Sequence, residues 1–196
     1  MRLVLKVGGS LAETGRLKDV LALIAQTKRS VIVVPGGGQF ADKVRDLQNA
    51  IRFDDASAHR LAMLGMHQMA ELYFTLQDRL SPADSLDGIG RVLAIGLIPV
   101  WLPLQMSQVD DMIPKDWSIT SDGLAARLAE RLGSARIVLL KSCDVDPKAS
   151  AADLAEDGIV DPVFPQIAAR AGLTWRVLGP ADDAELRTLL GLDLTQ

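Results

Sequence analysis

Short blocks rich in Val, Ile and Leu alternate along the chain with longer stretches whose apolar residues recur at helical spacing. The short blocks are Leu3–Val7, Val31–Val34, Val92–Ile95, Ile98–Leu102, Ile137–Leu140 and Trp175–Leu178, and each reads as a buried strand. Leu17, Val20, Leu21 and Ile24 mark a first helix, and Phe40, Val44, Leu47 and Ile51 a second. A long third helix is expected from about Asp54 to Leu80, with Leu61, Leu64, Met69 and Leu72 among its apolar positions. Further helices are expected over Ser121–Leu132, Asp161–Ala171 and Asp182–Leu190. Near-continuous apolar strands separated by helices predict an α/β protein, a three-layer α/β/α sandwich around a mainly parallel sheet. The polar stretch from Asp144 to Asp157 is the expected excursion from that sheet.

Composition narrows the class. A length of 196 residues suits one domain spanning 1–196, with enough chain for a substantial core. The 21 Lys+Arg against 25 Asp+Glu give a net charge of -4, and no basic run offers a nucleic-acid footprint. Cys143 is the one cysteine, which excludes a disulfide framework and a cysteine-rich zinc site and fits a reducing, cytoplasmic setting. The N-terminus reaches Arg2 and Lys6 too soon for a signal peptide. The longest uncharged apolar stretch, Val92–Leu104, is interrupted by Gly96, Pro99 and Pro103 and is too short to cross a bilayer.

Two glycine turns carry the first chemical signal. Gly8-Gly9-Ser10 follows the first strand, and Gly36-Gly37-Gly38 follows the second 28 positions later, about the length of one βαβ unit. A glycine turn between a strand and a helix leaves N–H groups uncovered near the positive end of the helix dipole, where an anion binds. Two such turns on one sheet edge suit a donor phosphate and an acceptor facing one another. No lysine follows a glycine anywhere in the chain, so the Walker A pattern is absent. His-Arg-Asp and Asp-Phe-Gly are absent too. Gly36, Gly38 and Ala41 match a relaxed dinucleotide-binding fingerprint, but Asp54 and Asp55, near the place of its ribose-binding acid, open the long helix instead.

Charged residues interrupt two of the strands. Lys6 sits inside the first, and Lys141 ends Ile137–Leu140 and is followed by Ser142, Cys143 and Asp144. A lysine in an apolar strand is costly unless paired, and both are expected at the sheet edge where α/β proteins bind ligands. Asp122 falls in the first turn of a helix capped by Thr120 or Ser121, where the dipole favours a carboxylate. It has a second use between the two lysines. His59 and His67 lie on the long helix eight residues apart, not a chelating spacing, and no metal-ligand set is expected. Arg45, Arg52 and Arg60 are candidate phosphate grips, and Trp101 and Trp117 candidate stacking platforms.

In order and spacing, Lys6-Val7-Gly8-Gly9-Ser10, Pro35-Gly36-Gly37-Gly38, Thr120-Ser121-Asp122 and Leu140-Lys141-Ser142-Cys143-Asp144-Val145-Asp146 resemble the amino acid kinase family (aspartate, glutamate and uridylate kinases). The resemblance covers about the first 146 residues. It implies that Lys6 and Lys141 contact the transferring phosphate, that Asp122 organises them, and that Gly8, Gly9, Ser10, Gly36, Gly37 and Gly38 bind phosphates. It also implies ATP and Mg²⁺ as cofactors, nucleotide contacts from Ser142, Asp144 and Asp146, and acceptor contacts from His59 and Arg45. Residues 1–115 would form an acceptor-binding lobe and 116–196 a nucleotide-binding lobe. The stretch Pro35–Arg45, the Ala58-His59 pair, Trp101 through Trp117–Asp122, and Asp161–Pro165 are similar to the short kinases acting on aminomethylfuran phosphate. That narrower resemblance implies phosphorylation of a phosphomonoester to a diphosphate in methanofuran-type cofactor synthesis. Alternatives are a kinase of acetylglutamate, carbamate or UMP, or a non-catalytic nucleotide- or anion-binding sensor. Homo-oligomers are expected through the long helix. One departure stands out: Val145-Asp146 runs into Pro147-Lys148, where the family continues Val-Asp-Gly-Val-Tyr and encloses the nucleotide base.

Overall fold

The first strand shows how the chain sorts its side chains. In the computed structural model, which describes residues 2–133 and 136–192, β1 (Leu3–Val7) is buried along its whole length. It is followed by α1 (Leu17–Gln26), β2 (Val31–Pro35), α2 (Gly38–Ile51) and α3 (Asp55–Leu76). Next come β3 (Leu80–Ala83), α4 (Leu86–Ala94), β4 (Ile98–Trp101), α5 (Leu104–Gln108) and α6 (Ser121–Arg131). The described chain ends with β5 (Arg136–Leu140), α7 (Ala151–Glu156), α8 (Phe164–Arg170), β6 (Thr174–Leu178) and α9 (Asp183–Leu190).

All the strands pair in parallel, in the order β3-β4-β2-β1-β5-β6. Successive strand residues face opposite layers. Leu3, Leu5 and Val7 pack with α1, α9 and the Met69–Tyr73 end of α3. Val4 packs against the other layer, built by α4, α6, α7 and α8, and Lys6 shares its face. Helices on both sides of a parallel sheet make the expected three layers.

The chain moves from β1 to β2 on one side and returns to the other side of β1 as β5. The carboxyl ends of β1 and β5 therefore form the crevice where open α/β sheets bind ligands. Register sets the level of each group: Val7 lies opposite Pro35 on β2 and Leu140 on β5. Both glycine turns and Lys141 consequently leave the sheet side by side. This order is not the 3-2-1-4-5-6 of the dinucleotide fold, and the relaxed fingerprint at Gly36 follows the second strand.

Two elements depart from the pattern-based reading. Val92–Ile95 is not a strand but the end of α4 and its cap. The Ser85 side chain accepts from Gly88 N at 3.1 Å to open that helix, Ile89 and Val92 are buried on one face, and Gly96 at φ 76° closes it. The strand in its place is β3, of which only Leu80 falls within the expected long helix. α3 stops at Leu76, and Pro82 is tolerated because β3 is an edge strand. The Asp144–Asp157 excursion holds α7, opened by a reciprocal Ser150–Asp153 capping box. Among the described residues, no helix is long and apolar enough to cross a membrane.

Candidate active site

Lys6 and Lys141 arrive from neighbouring strands, and Asp122 arrives from the first turn of α6. Lys6 Nζ lies 2.9 Å from Asp122 Oδ1, and Lys141 Nζ donates to Asp122 Oδ2 at 2.6 Å. The Lys6 contact is ionic and off the hydrogen-bonding direction, which leaves Oδ1 without an aligned donor. Lys6 and Asp122 are 5% and 3% exposed, so the pair has little water to share. Burial pushes the Asp122 carboxyl upward, but the two ammonium groups outweigh it and hold the group below its usual range. Burial, with the Lys6 charge beside it, lowers the Lys141 ammonium despite its contact with Asp122. Two lysines share Asp122, so these three groups carry a surplus positive charge in a poorly solvated place, offset in part by the nearby Asp161 carboxylate. An incoming phosphate oxygen balances that surplus.

What aims Asp122 is a residue that pattern reading used only to open a later helix. Thr120 is the N-cap of α6, but its own side chain caps nothing. Asp161 takes over: its carboxylate accepts from Thr120 N (2.6 Å), Thr120 Oγ1 (2.6 Å) and Gly123 N (2.7 Å). Burial and the nearby Asp122 charge push the Asp161 carboxyl up, against the pull of those donors. α8 begins at Phe164, three residues later than the pattern predicts. The signal was a Thr-Ser-Asp-Gly helix start whose partner lies 41 residues away, beyond any local pattern.

The glycine turns touch each other. A Cβ on Gly9 would fall inside the van der Waals shell of Gly38 N and Cα, and one on Gly36 would strike Gly9 N. The turns are glycine-rich so that two backbones approach this closely. Their amides divide into two sets. Gly8 N donates to Leu140 O (3.1 Å) and Gly36 N to Val7 O (2.8 Å), so these two shape the turns and have no donor left for an anion. Among the described residues, the amides of Gly9, Ser10, Gly37 and Gly38 have no backbone acceptor and are available to one. Ser10 Oγ and Ser142 Oγ lie 2.8 Å apart, tying the first turn to the end of β5.

Beside these turns opens a cleft of about 260 Å³, lined by Gly9, Ser10 and Gly36–Gly38, by Ala41, Arg45, His59, Met63 and Met66, and by Trp117–Ser121 in part. His59 is 4% exposed, its Nε2 has no hydrogen-bond partner among the described residues, and burial lowers its imidazolium, favouring the neutral ring. The Arg45 guanidinium stacks over the Trp117 ring at 4.3 Å, and Trp117 Nε1 donates to Gln48 Oε1 at 2.6 Å. The cleft thus joins apolar walls to the open amides of the glycine turns, with Asp42 of its lining 3.3 Å from Arg45 Nη1.

Other candidates fall elsewhere. Trp101 is buried in the core, 1% exposed, with Nε1 directed at Met106 Sδ (3.3 Å), so it is no platform for a ligand. His67 Nε2 accepts from Leu104 N, a structural bond at the start of α5. Arg52 caps α2 at φ 57°. Asp144 and Asp146 are exposed; Asp146 accepts from Lys148 N in a local turn and borders a separate cleft of about 280 Å³ with Trp175, Arg176 and Glu185. Among the described residues, no group of three or more His, Cys, Asp or Glu side chains is placed to hold a metal ion.

Comparison with known proteins bears on this geometry. The model of the amino acid kinase family matches residues 1–149, a span that takes in both glycine turns, Asp122 and Lys141. The chain belongs to the amino acid kinase family. A (5-(aminomethyl)furan-3-yl)methyl phosphate kinase of Methanocaldococcus jannaschii is 27% identical over 145 residues, which are 73% of this chain and 66% of that one. The crystal structure of uridylate kinase from Archaeoglobus fulgidus superposes with a TM-score of 0.71 at 17% identity, covering 97% of this chain and 96% of that one. Isopentenyl phosphate kinase superposes with a TM-score of 0.64 at 17% identity over 99% and 98% of the two chains. These two likenesses show the amino acid kinase fold, and each of the three relatives is named as a kinase.

Proposed function

We propose that the protein transfers the γ-phosphoryl group of ATP to a small phosphomonoester, forming a diphosphate, with (5-(aminomethyl)furan-3-yl)methyl phosphate as the favoured acceptor. The observation that carries this is the surplus ammonium charge of Lys6–Asp122–Lys141 standing beside the two open amide turns. Phosphoryl transfer asks the protein mainly for positioning and charge stabilisation. A phosphate acceptor is already nucleophilic at neutral pH, so the site needs no general base.

In this reading Lys6 and Lys141 meet the transferring group, with the amides of Gly9 and Ser10 on one phosphate and those of Gly37 and Gly38 on the other. His59 donates from its neutral ring to the acceptor phosphate, Arg45 adds charge at the mouth, and Trp117 offers its ring to the acceptor body. Residues 1–115 supply most of the acceptor side. Residues 116–196, of which 134–135 and 193–196 lie outside the described part, supply Ser142, Asp144 and Asp146 on the nucleotide side. Asp122 is taken by the lysines and Asp161 by the start of α6, so Mg²⁺ travels on the ATP phosphates, its usual partners in such reactions. Phe40, Leu47, Ile51, Leu61, Leu64 and Leu72 are exposed on α2 and α3. This apolar face supports a homodimer.

The test is mass spectrometry of mixtures of ATP with aminomethylfuran phosphate, UMP, acetylglutamate and carbamate. A product one phosphoryl group heavier, from the aminomethylfuran phosphate alone or fastest, is expected. Nucleotide binding without any product would instead support a non-catalytic sensor, a reading favoured by the exposed Asp144–Lys148 turn in place of the family's base-enclosing segment.

The lowered Lys141 ammonium also sets a pH dependence. The group must be protonated to offset phosphate charge, so kcat/KM, which reports the free enzyme, should fall with rising pH at a limb below the ordinary lysine value of 10.5. Lys141→Arg should remove that limb because arginine stays charged. A limb unmoved in the variant would assign it to another group.

A further inference from the structure

The end of the sheet opposite the lysine cluster is also basic. Arg2 precedes β1, Lys28, Arg29 and Ser30 precede β2, and Arg136 begins β5. Together with Leu3 and Leu189 they line a cleft of about 460 Å³, and among the described residues no aspartate or glutamate lines it. Parallel pairing forces the gathering: Arg136 N donates to Arg2 O at 3.2 Å and Leu3 N to Ser30 O at 2.9 Å, so the amino ends of three adjacent strands open at one place. The Arg29 guanidinium donates to Leu189 O (2.8 Å), and among the described residues no carboxylate meets it. Among the described residues, none of the four cations makes an ion pair. Arg136 Nε is buried without a hydrogen-bond partner among the described residues, and a buried donor left unmet costs stability.

Four cations gathered around one concavity repel one another, and an anion relieves that repulsion. We propose that this cleft is a second binding site, separate from the lysine cluster, for a small molecule carrying two or more phosphate groups. The volume lies in the range of small-ligand sites. Three guanidinium groups suit forked recognition of phosphate oxygens, and Leu3 and Leu189 give the floor an apolar part. The chain's net charge of -4 disfavours extended polyanions such as nucleic acid or an anionic membrane, while a compact ligand feels chiefly the local cluster.

The proposal stands apart from the kinase reading, and the two fail separately. Inorganic tripolyphosphate, titrated calorimetrically into the full-length protein at low salt, should occupy two sites. Lys141→Ala should weaken one and leave the other. In that background Arg136→Gln should weaken the remaining site at least tenfold, and tripolyphosphate should no longer raise its melting temperature. Lys28→Gln, at an exposed position, should weaken the same site by a smaller factor and guards against a folding defect in Arg136→Gln. A single site abolished by Lys141→Ala, or a second site indifferent to both Arg136→Gln and Lys28→Gln, overturns the proposal.

Discussion

Replacing Asp122 with alanine should lower the unfolding free energy by about 3–5 kcal/mol, the usual cost of removing one partner from a buried ionic group. The variant leaves two ammonium groups facing each other where Lys6 and Asp122 had 5% and 3% exposure. Lys141→Met is the contrast. It leaves the Lys6–Asp122 pair at 2.9 Å, neutral overall, and should cost much less. Urea melts of both variants, compared at their midpoints with the slope unchanged, read the difference. Equal costs would mean that Asp122 does not hold both lysines. The same carboxylate gives a pH signature. Its folded pKa is lowered from 3.8, so its contribution to stability is complete above that value and is lost as pH falls through the lower folded pKa. In Asp122→Ala that part of the acid dependence should be missing.

Gly9→Ala should reduce kcat/KM by about a hundredfold or more and destabilise the fold by about 1–3 kcal/mol. The added methyl group meets Gly38 backbone, not a flexible side chain, so the turns themselves must part. Overpacking of this kind costs about 1–3 kcal/mol, and misplacing bound groups by about 1 Å is enough for a 10²-fold loss in rate. Gly90→Ala is the control, because a Cβ there meets nothing within 4 Å and alanine is the better helix former. Gly90→Ala should keep full activity and melt no lower. Full activity in Gly9→Ala would show that close contact of the turns is not what positions the phosphates.

The residues that proved easiest to read were those that contradict their surroundings. Lys6 breaks an apolar strand and Lys141 ends another, and parallel register leaves the two groups nowhere to go except the same crevice. Asp122 was legible as a helix-start acid with a second use between the two lysines, and the structure adds its contacts with both, at 2.9 and 2.6 Å. Asp161 was not legible as their support, because its three acceptor bonds reach back to Thr120 and Gly123 across 38–41 residues. Nor could spacing tell that the Gly8 and Gly36 amides are engaged by neighbouring strands while those of Gly9 and Gly37 stay open. The misread strand at Val92–Ile95 has a local cause: four apolar residues in a row fit a buried strand and a helix end equally well. Leu80–Ala83 was hidden for the opposite reason, since Ser81 and Pro82 dilute the apolar signal that an edge strand does not need.

In the proposed function the two ammonium groups on Asp122 stabilise a phosphoryl group in transfer. Steady-state kinetics of Lys6→Ala and Lys141→Ala with ATP and the accepted phosphomonoester test it most directly. Each variant should lose on the order of 10²–10³ in kcat, about 3–4 kcal/mol, by analogy with loss of a charge-stabilising donor. Unchanged kcat in both would contradict the account.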